Sequence, residues 1–432
     1  MPAIRIPQVL HETTFTRYLM AVIVSSLGGG MANVALAFAM LELGGVTELG
    51  IVILAREIPL VIFVLLGGVF ADRWRRRTIL VSADLIRAAS QGATAFLLFT
   101  GNADVLWVGA LQAVFGLSGA FSRPATSGLV RESVSNARLQ EANALLGLSR
   151  SVMSIAGPAI GALIVAAGSP ALALGIDAVT FFISAVLLFS MQLPGVVRAA
   201  ATSVLADMRA GWQEFTQRRW AVIMIATFGL FQLTYFPAMF VLGPAVAKDA
   251  LGGPTAWGAI LAVESIGAVI GGLIAYRIKV RQPLVWTNLV VLPAGFMLIG
   301  LAVPLPLIVL VGLGAGVGLG FALGGTIWET TLQRNVPEHA LSRISSYDWF
   351  GSIALNPIGY LIIGPLAEAI GTPTALAACG VLNMAVCLIV VLVPSVRHVG
   401  MGGEAPAAPS DTPQGPITTV QADLVGTGED IS

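Results

Sequence analysis

Several carboxylates stand inside apolar runs, where a charge is hard to keep. Glu57 lies within 49–71, Glu264 within 255–276 and Asp177 within 171–191. An ionised side chain at the centre of a hydrocarbon-spanning helix costs about 3 kcal/mol or more, so each such residue needs a partner or a task. Glu57 and Glu264 both fall within about 6 Å of the middle of their runs, at about 1.5 Å of rise per helical residue. A carboxyl group at that depth that takes up a proton and later returns it can serve as a proton carrier. Glu57 follows Arg56 directly, so neutralising that cation is its competing role, whereas Glu264 has no adjacent cation. Asp177 lies nearer one end of its run, where packing or pairing is as good an account as proton transfer. Asp84 and Arg87 are three apart within 78–100, and that spacing favours a structural pair on one helix face.

Uncharged polar residues interrupt other runs. Asn33, Gln112, Gln232 and Tyr235 stand among apolar and aromatic neighbours, Phe231 and Phe236 included. Polar groups scattered among aromatics suit a cavity for an amphipathic ligand. Hydrogen bonding between helices accounts for each of them singly just as well. His11, His339 and His398 each stand alone, and Cys379 and Cys387 share one late run, so neither a metal site nor a disulfide framework is expected. There is no phosphate-binding glycine loop with its lysine and no nucleophile elbow, which speaks against an enzyme. A formal net charge of zero gives no reason to expect a nucleic-acid partner.

The elements that carry these residues are helices for a lipid phase. The chain is 56% hydrophobic and 11% charged, with a mean hydropathy of +0.88, more apolar than a soluble domain needs. Runs long enough to cross a bilayer follow one another near 17–41, 49–71, 78–100, 105–128, 139–167, 171–191, 220–247, 255–276, 284–302, 305–330, 344–369 and 373–394. The expectation is an all-α membrane protein of twelve transmembrane helices. Arginines gather in every second loop: Arg73, Arg75, Arg76 and Arg77, then Arg131 and Arg138, Arg198 to Arg219, Arg277 and Arg281, and Arg334 and Arg343. The opposite loops hold only Lys248. Cations mark the cytoplasmic side, so both termini are expected there.

The segments divide accordingly. Residues 1–16 form a cytoplasmic lead, 17–191 a first six-helix bundle and 220–396 a second. Between them, 192–219 is a cytoplasmic loop. Its part 204–219 places Leu205, Met208, Trp212 and Phe215 at helical spacing, as an amphipathic helix on the inner membrane face would. Residues 397–432 are rich in Gly, Pro, Ala and Thr and are expected to be a disordered tail. The halves repeat each other: Gly67-Gly68-Val69-Phe70-Ala71-Asp72-Arg73 aligns with Gly271-Gly272-Leu273-Ile274-Ala275-Tyr276-Arg277, 204 residues on. Under that offset Glu264 falls one helical turn from Glu57. Such a repeat makes the two six-helix bundles pseudo-symmetric. The run Gly312, Gly314, Gly316, Gly318 and Gly320 reads as close packing or as a flexible gate.

The stretch Gly68-x-x-x-Asp72-Arg73-x-x-Arg76-Arg77, between the second and third runs, resembles the corresponding loop of major facilitator superfamily transporters. Ser26 to Gly30, Asp84 to Arg87, Phe121 to Ala125, Gly157-Pro158-x-x-Gly161 and Asp177 to Ser184 narrow the resemblance. They are similar to the macrolide-efflux and siderophore-exporter branch, the transmembrane secretion effectors, over about residues 15–395. The resemblance implies a drug:proton antiporter that exports a bulky amphipathic small molecule from a bacterial inner (plasma) membrane. A proton gradient would supply the energy, with no cofactor, and the protein is expected to be monomeric. Asp72 would act with Gly68, Arg73, Arg76, Arg77 and Arg343 as a latch between the halves. The sequence departs from the branch at Gly29, where an aspartate is frequent, and at Gln112, where the helix 4 motif carries arginine. Proton coupling must then fall to Glu57, Glu264 or Asp177. An uptake porter for a small nutrient, or a non-transporting membrane sensor, are the competing readings.

Overall fold

A computed structural model describes residues 8–73, 75–135, 138–191, 216–278, 280–336, 348, 351 and 354–400, without the side chains of 8, 64–73, 123–124, 127–128 and 131. All its long elements are helices. In chain order they are α1 (Thr13–Leu43), α2 (Val46–Arg73), α3 (Arg76–Phe99), α4 (Val105–Ser133), α5 (Leu139–Ala166), α6 (Pro170–Phe189), α7 (Arg219–Ala250), α8 (Pro254–Ala275), α9 (Pro283–Ala302), α10 (Leu307–Asn335), α11 (Asn356–Ile370) and α12 (Thr372–Leu392). Helices are the open-chain answer to a solvent that cannot satisfy backbone N–H and C=O groups. Residues 204–215 of the expected amphipathic helix, the tail beyond 400 and most of 344–355 in the eleventh run lie outside the described residues.

Turns on the arginine-poor face are short and broken by residues that cannot continue a helix. A single residue, Gly371, joins α11 to α12 at φ +89°. A side chain there would be strained, and glycine is not. Asp104 caps α4 by accepting from the Leu106 N–H at 2.7 Å, and Ser169 caps α6 by accepting from that of Leu172 at 3.2 Å. Two helices deviate inside the membrane span. Pro237 leads α7 into a π-helical turn at Ala238–Leu242, and α9 breaks at Val291 just before Pro293. Proline removes a backbone donor, which localises such breaks.

The packing of the first six helices is repeated by the last six. α2 lies along α4 as α8 lies along α10, and α3 along α6 as α9 along α12. α1 touches α5 and α6, and α7 touches α11 and α12. The two sets meet through α5 against α8 and α2 against α11. Many large apolar side chains face outward, Phe99 at 84% and Ile308 at 77% exposed among them, which is correct only for a surface bathed in lipid.

The buried apolar residues show where the sets are joined. One cluster runs through both sets on the arginine-poor side, from Ala35, Phe38 and Leu49 to Leu242, Trp257 and Tyr360. On the arginine-rich side, the described residues form separate clusters. One holds Phe15, Leu129 and Leu146 of the first set, and another holds Met224, Trp328 and Leu332 of the second.

Candidate functional site: a cavity between the two helix sets

The close approach of the two sets depends on glycine. A Cβ on Gly364 of α11 would lie 2.6 Å from the Cα of Thr47, and one on Gly50 of α2 would lie 2.8 Å from the Tyr360 carbonyl oxygen. Ser265 of α8 donates to the Ser154 carbonyl of α5 at 2.9 Å, and Lys248 at the end of α7 donates to the Leu41 carbonyl of α1 at 3.1 Å. The Ser265–Ser154 bond lies at mid-helix, in a cavity wall, whereas the glycine contacts and Lys248 close the arginine-poor face.

Beneath them lies a cavity of about 370 Å³ with walls from both sets. The first set contributes Asn33 of α1 and Arg56 and Glu57 of α2. The second contributes Phe240 of α7, Trp257 and Glu264 of α8, and Tyr360 of α11. The cavity therefore brings together Asn33, Glu57 and Glu264, residues 231 positions apart at the extremes. Arg56 donates from Nη1 to Asn33 Oδ1 at 3.3 Å and lies over the Phe115 ring, 4.4 Å from its centroid. Glu264 Oε2 is buried and accepts no hydrogen bond from any described residue. An unpartnered carboxylate oxygen at a cavity wall is open to a proton or to a ligand's donor.

The backbone of α8 is held rigidly under Glu264. A Cβ on Gly318 of α10 would sit 1.7 Å from the Glu264 carbonyl oxygen, and one on Gly267 would sit 2.0 Å from that of Ala315. The alternate glycines of α10 face two neighbours: Gly314 and Gly318 meet α8, and Gly316 and Gly320 meet α9. In this conformation the run packs helices closely on two sides.

Asp177 and Gln112 stand elsewhere. Gln112 of α4 donates to Gln91 Oε1 at 2.9 Å, and Gln91 of α3 donates to Asp177 Oδ2 at 2.7 Å. All three are buried within the first set and none lines the cavity. Gly28 of α1 covers this relay, since a Cβ there would lie 2.5 Å from Asp177 Oδ1. Gln91 is absent from the sequence candidates, although the rule that singled out Gln112, a polar residue within an apolar run, applies equally to it. Asp84 accepts from Ser184 at 2.6 Å and pairs with Arg87 at 3.6 Å. Arg87 also donates to Ser118 at 3.1 Å and Ser122 at 2.7 Å, so its fork ties α3 to α4.

Gln232 lines a second pocket, of about 200 Å³, between α7, α9 and α10. Tyr235 is fully buried, enclosed by the rings of Phe231, Phe236 and Phe321. Of the latch residues, the side chains of Gly68, Asp72 and Arg73 and all of Arg343 lie outside the described residues. Arg76 pairs with Glu132 of α4 at 3.0 Å. Arg77 donates to the Met191 carbonyl at 2.7 Å and lies over Phe189. Both described arginines thus tie the first set to itself. Trp257, Phe240 and Tyr360 escaped the sequence reading because an aromatic in an apolar run gives no sign of which face meets a cavity.

Two repeated six-helix sets enclosing a polar cavity at mid-span define a membrane transporter, not an enzyme. The profile of the Major Facilitator Superfamily matches residues 18–354, and the chain belongs to that superfamily. It is 26% identical over 406 residues to "Multidrug efflux pump Tap" of Mycolicibacterium fortuitum, covering 89% of this chain and 97% of that one. It is 20% identical over 392 residues to "Macrolide efflux protein A" of Streptococcus pyogenes, covering 88% and 95%. Among solved structures it superposes on a mutant of the peptide transporter POT in complex with sulfate, with a TM-score of 0.70 and 13% identity over 90% of this chain and 96% of that one. It also superposes on the nucleoside transporter NupG, with a TM-score of 0.68 and 13% identity over 87% and 98%. At these identities the structures speak for the fold alone.

Proposed function

We propose that this protein exports a drug-like, macrolide-like or siderophore-like small molecule by alternating access, driven by proton antiport without a cofactor. The observation that carries this reading is the single cavity with one carboxylate from each helix set, Glu57 and Glu264, set among aromatic walls. Such a cavity accepts a bulky molecule with apolar body and polar groups. The likeness over nearly the whole chain to a multidrug and a macrolide efflux pump supports the direction of transport.

On this reading the protein works as a monomer in a bacterial plasma membrane, with both termini cytoplasmic, an orientation that the one-sided distribution of arginine supports. The arginine-poor face is then the outer face, and its sealing by α1–α7, α2–α11 and α5–α8 contacts suits the inward-facing arm of the cycle. Protonation of Glu264 or Glu57 drives the cycle if the two facing states bind the proton with different affinity. Asp72, with Arg343, is the latch that holds the opposite arm closed.

The test is accumulation of labelled macrolides and siderophores in cells with and without the protein. Lower accumulation in expressing cells, abolished when the proton gradient is collapsed, is expected. Equal accumulation, or higher accumulation in expressing cells, overturns export in favour of uptake or of no transport.

A further inference from the structure

The second pocket differs in kind from the central cavity. Its walls include Phe228, Phe231 and Phe236 of α7 and Phe321 and Gly325 of α10, and no charged side chain is among them. The polar groups around it are mostly occupied. Thr227 donates to the Ile223 carbonyl at 2.8 Å, Thr287 to that of Pro283 at 3.1 Å, and Asn288 to that of Leu284 at 2.8 Å. Gln232 is the exception: it lines the pocket and its amide makes no hydrogen bond with a described residue. The central cavity, by contrast, carries Arg56, Glu57 and Glu264.

The two spaces are joined by rings. Phe321 stacks on Phe236 with centroids 5.8 Å apart and planes 20° from parallel. Phe236 stacks in turn on Phe240, at 6.3 Å and 11°, and Phe240 lines the central cavity. Three near-parallel rings thus run from one space to the other, with Phe321 at the pocket end and Phe240 at the cavity end.

We infer that this pocket is a distinct subsite for an uncharged, planar, fused-ring portion of the transported molecule, with Gln232 as its single hydrogen-bonding handle. The inference rests on the reading of the chain as a transporter of amphipathic small molecules, and it specifies the apolar half of the substrate. Size agrees: a cavity of about 150 Å³ takes one benzene ring, so about 200 Å³ admits one ring or two fused rings. Gln232 offers both a donor and an acceptor, so a ring bearing an amide or an equivalent pair of groups fits best.

The test uses two probes on the full-length protein purified in detergent, radiolabelled 2-naphthamide and decahydronaphthalene-2-carboxamide. They share the amide and the ten-carbon fused skeleton and differ in the flatness of the rings. Saturable binding of 2-naphthamide is expected, with the decahydro compound weaker by about tenfold, the worth of a stacking contact. Gly325→Val should weaken naphthamide binding by tenfold or more by filling the pocket, because a Cβ at Gly325 meets no atom within 4 Å. Gln232→Leu should weaken it by about as much, by removing the handle at similar volume. Gly272→Ala, at an exposed position of α8 outside the pocket where a Cβ meets no atom within 4 Å, is the control. Should Gly325→Val fail to give folded protein, Gln232→Leu decides alone. Equal affinity for the two probes, or naphthamide binding unmoved by both variants, overturns the subsite. The assay needs no gradient and no direction, so failed export with intact binding overturns only the proposed function.

Discussion

Glu264 stands where one carboxylate oxygen meets no donor among the described residues, in a cavity it shares with Glu57 of the other helix set. If the pair carries the coupling proton, Glu264→Gln keeps the shape and removes the titration. Gradient-driven efflux should then be abolished while substrate binding and downhill exchange persist. Glu57→Gln should give a weaker version of the same phenotype, because the cation of Arg56 beside it loses a neighbouring countercharge. Substrate movement in proteoliposomes under an imposed pH gradient, beside a gradient-free exchange control, separates these outcomes. If both variants pump uphill at the wild-type rate, neither acid carries the proton. Arg87 predicts the opposite kind of behaviour. It joins Asp84, Ser118 and Ser122 inside the first set and lines neither the central cavity nor the second pocket. Arg87→Ala leaves Asp84 buried without its cation and should cost about 3–5 kcal/mol of stability. A lowered thermal midpoint in detergent checks this, and an unchanged midpoint with lost transport would move Arg87 from structure to function.

At the scale of elements, α8 and α10 act as one rigid unit because glycines let their backbones touch. Gly318→Ala would place a methyl group 1.7 Å from the Glu264 carbonyl oxygen. Neither backbone can yield without moving the other helix. A loss on the order of 1–3 kcal/mol is expected, together with reduced transport, since Glu264 rides on the displaced segment. Gly272→Ala, whose new methyl meets nothing within 4 Å, should be neutral or slightly stabilising. Thermal midpoints and transport rates of the two variants, measured side by side, check this. If Gly318→Ala is also neutral, the helices are not held as tightly as their spacing implies.

For the whole molecule, orientation and cycling are the open quantities. Thiols at Asn102 and Thr255 should react with an impermeant reagent from outside intact cells, and thiols at Gln217 and Arg281 only from inside. The native Cys379 and Cys387 are buried and give a low background. A reversed pattern would invert the assignment of the sealed face. The latch prediction belongs to the same scale. Asp72→Asn should reduce the transport rate per inserted molecule without reducing insertion, because it weakens one arm of a two-state balance. An unchanged rate would make Asp72 an ordinary loop charge.

Local chemistry was legible in the sequence: apolar run length determined the helices, arginine placement their expected alternation, and the repeat around Gly67 and Gly271 the pairing of the two halves. Each depends on neighbours in the chain, or on a lipid solvent that treats every segment alike. Depth in the membrane was legible as well, and it marked Glu57 and Glu264. What a run of residues cannot express is which way a side chain turns about its helix when every face is apolar. Asp177 and Gln112 stood among the candidates with Glu264, yet packing turned the first two into the relay through Gln91 and the third towards the cavity. The same applies to Trp257, Phe240 and Gln232, whose surroundings come from helices far away in the chain. Only the tertiary structure decided these, because in lipid the rotation of a helix is set by glycine contacts and polar pairs with its neighbours, and not by its own hydrophobicity.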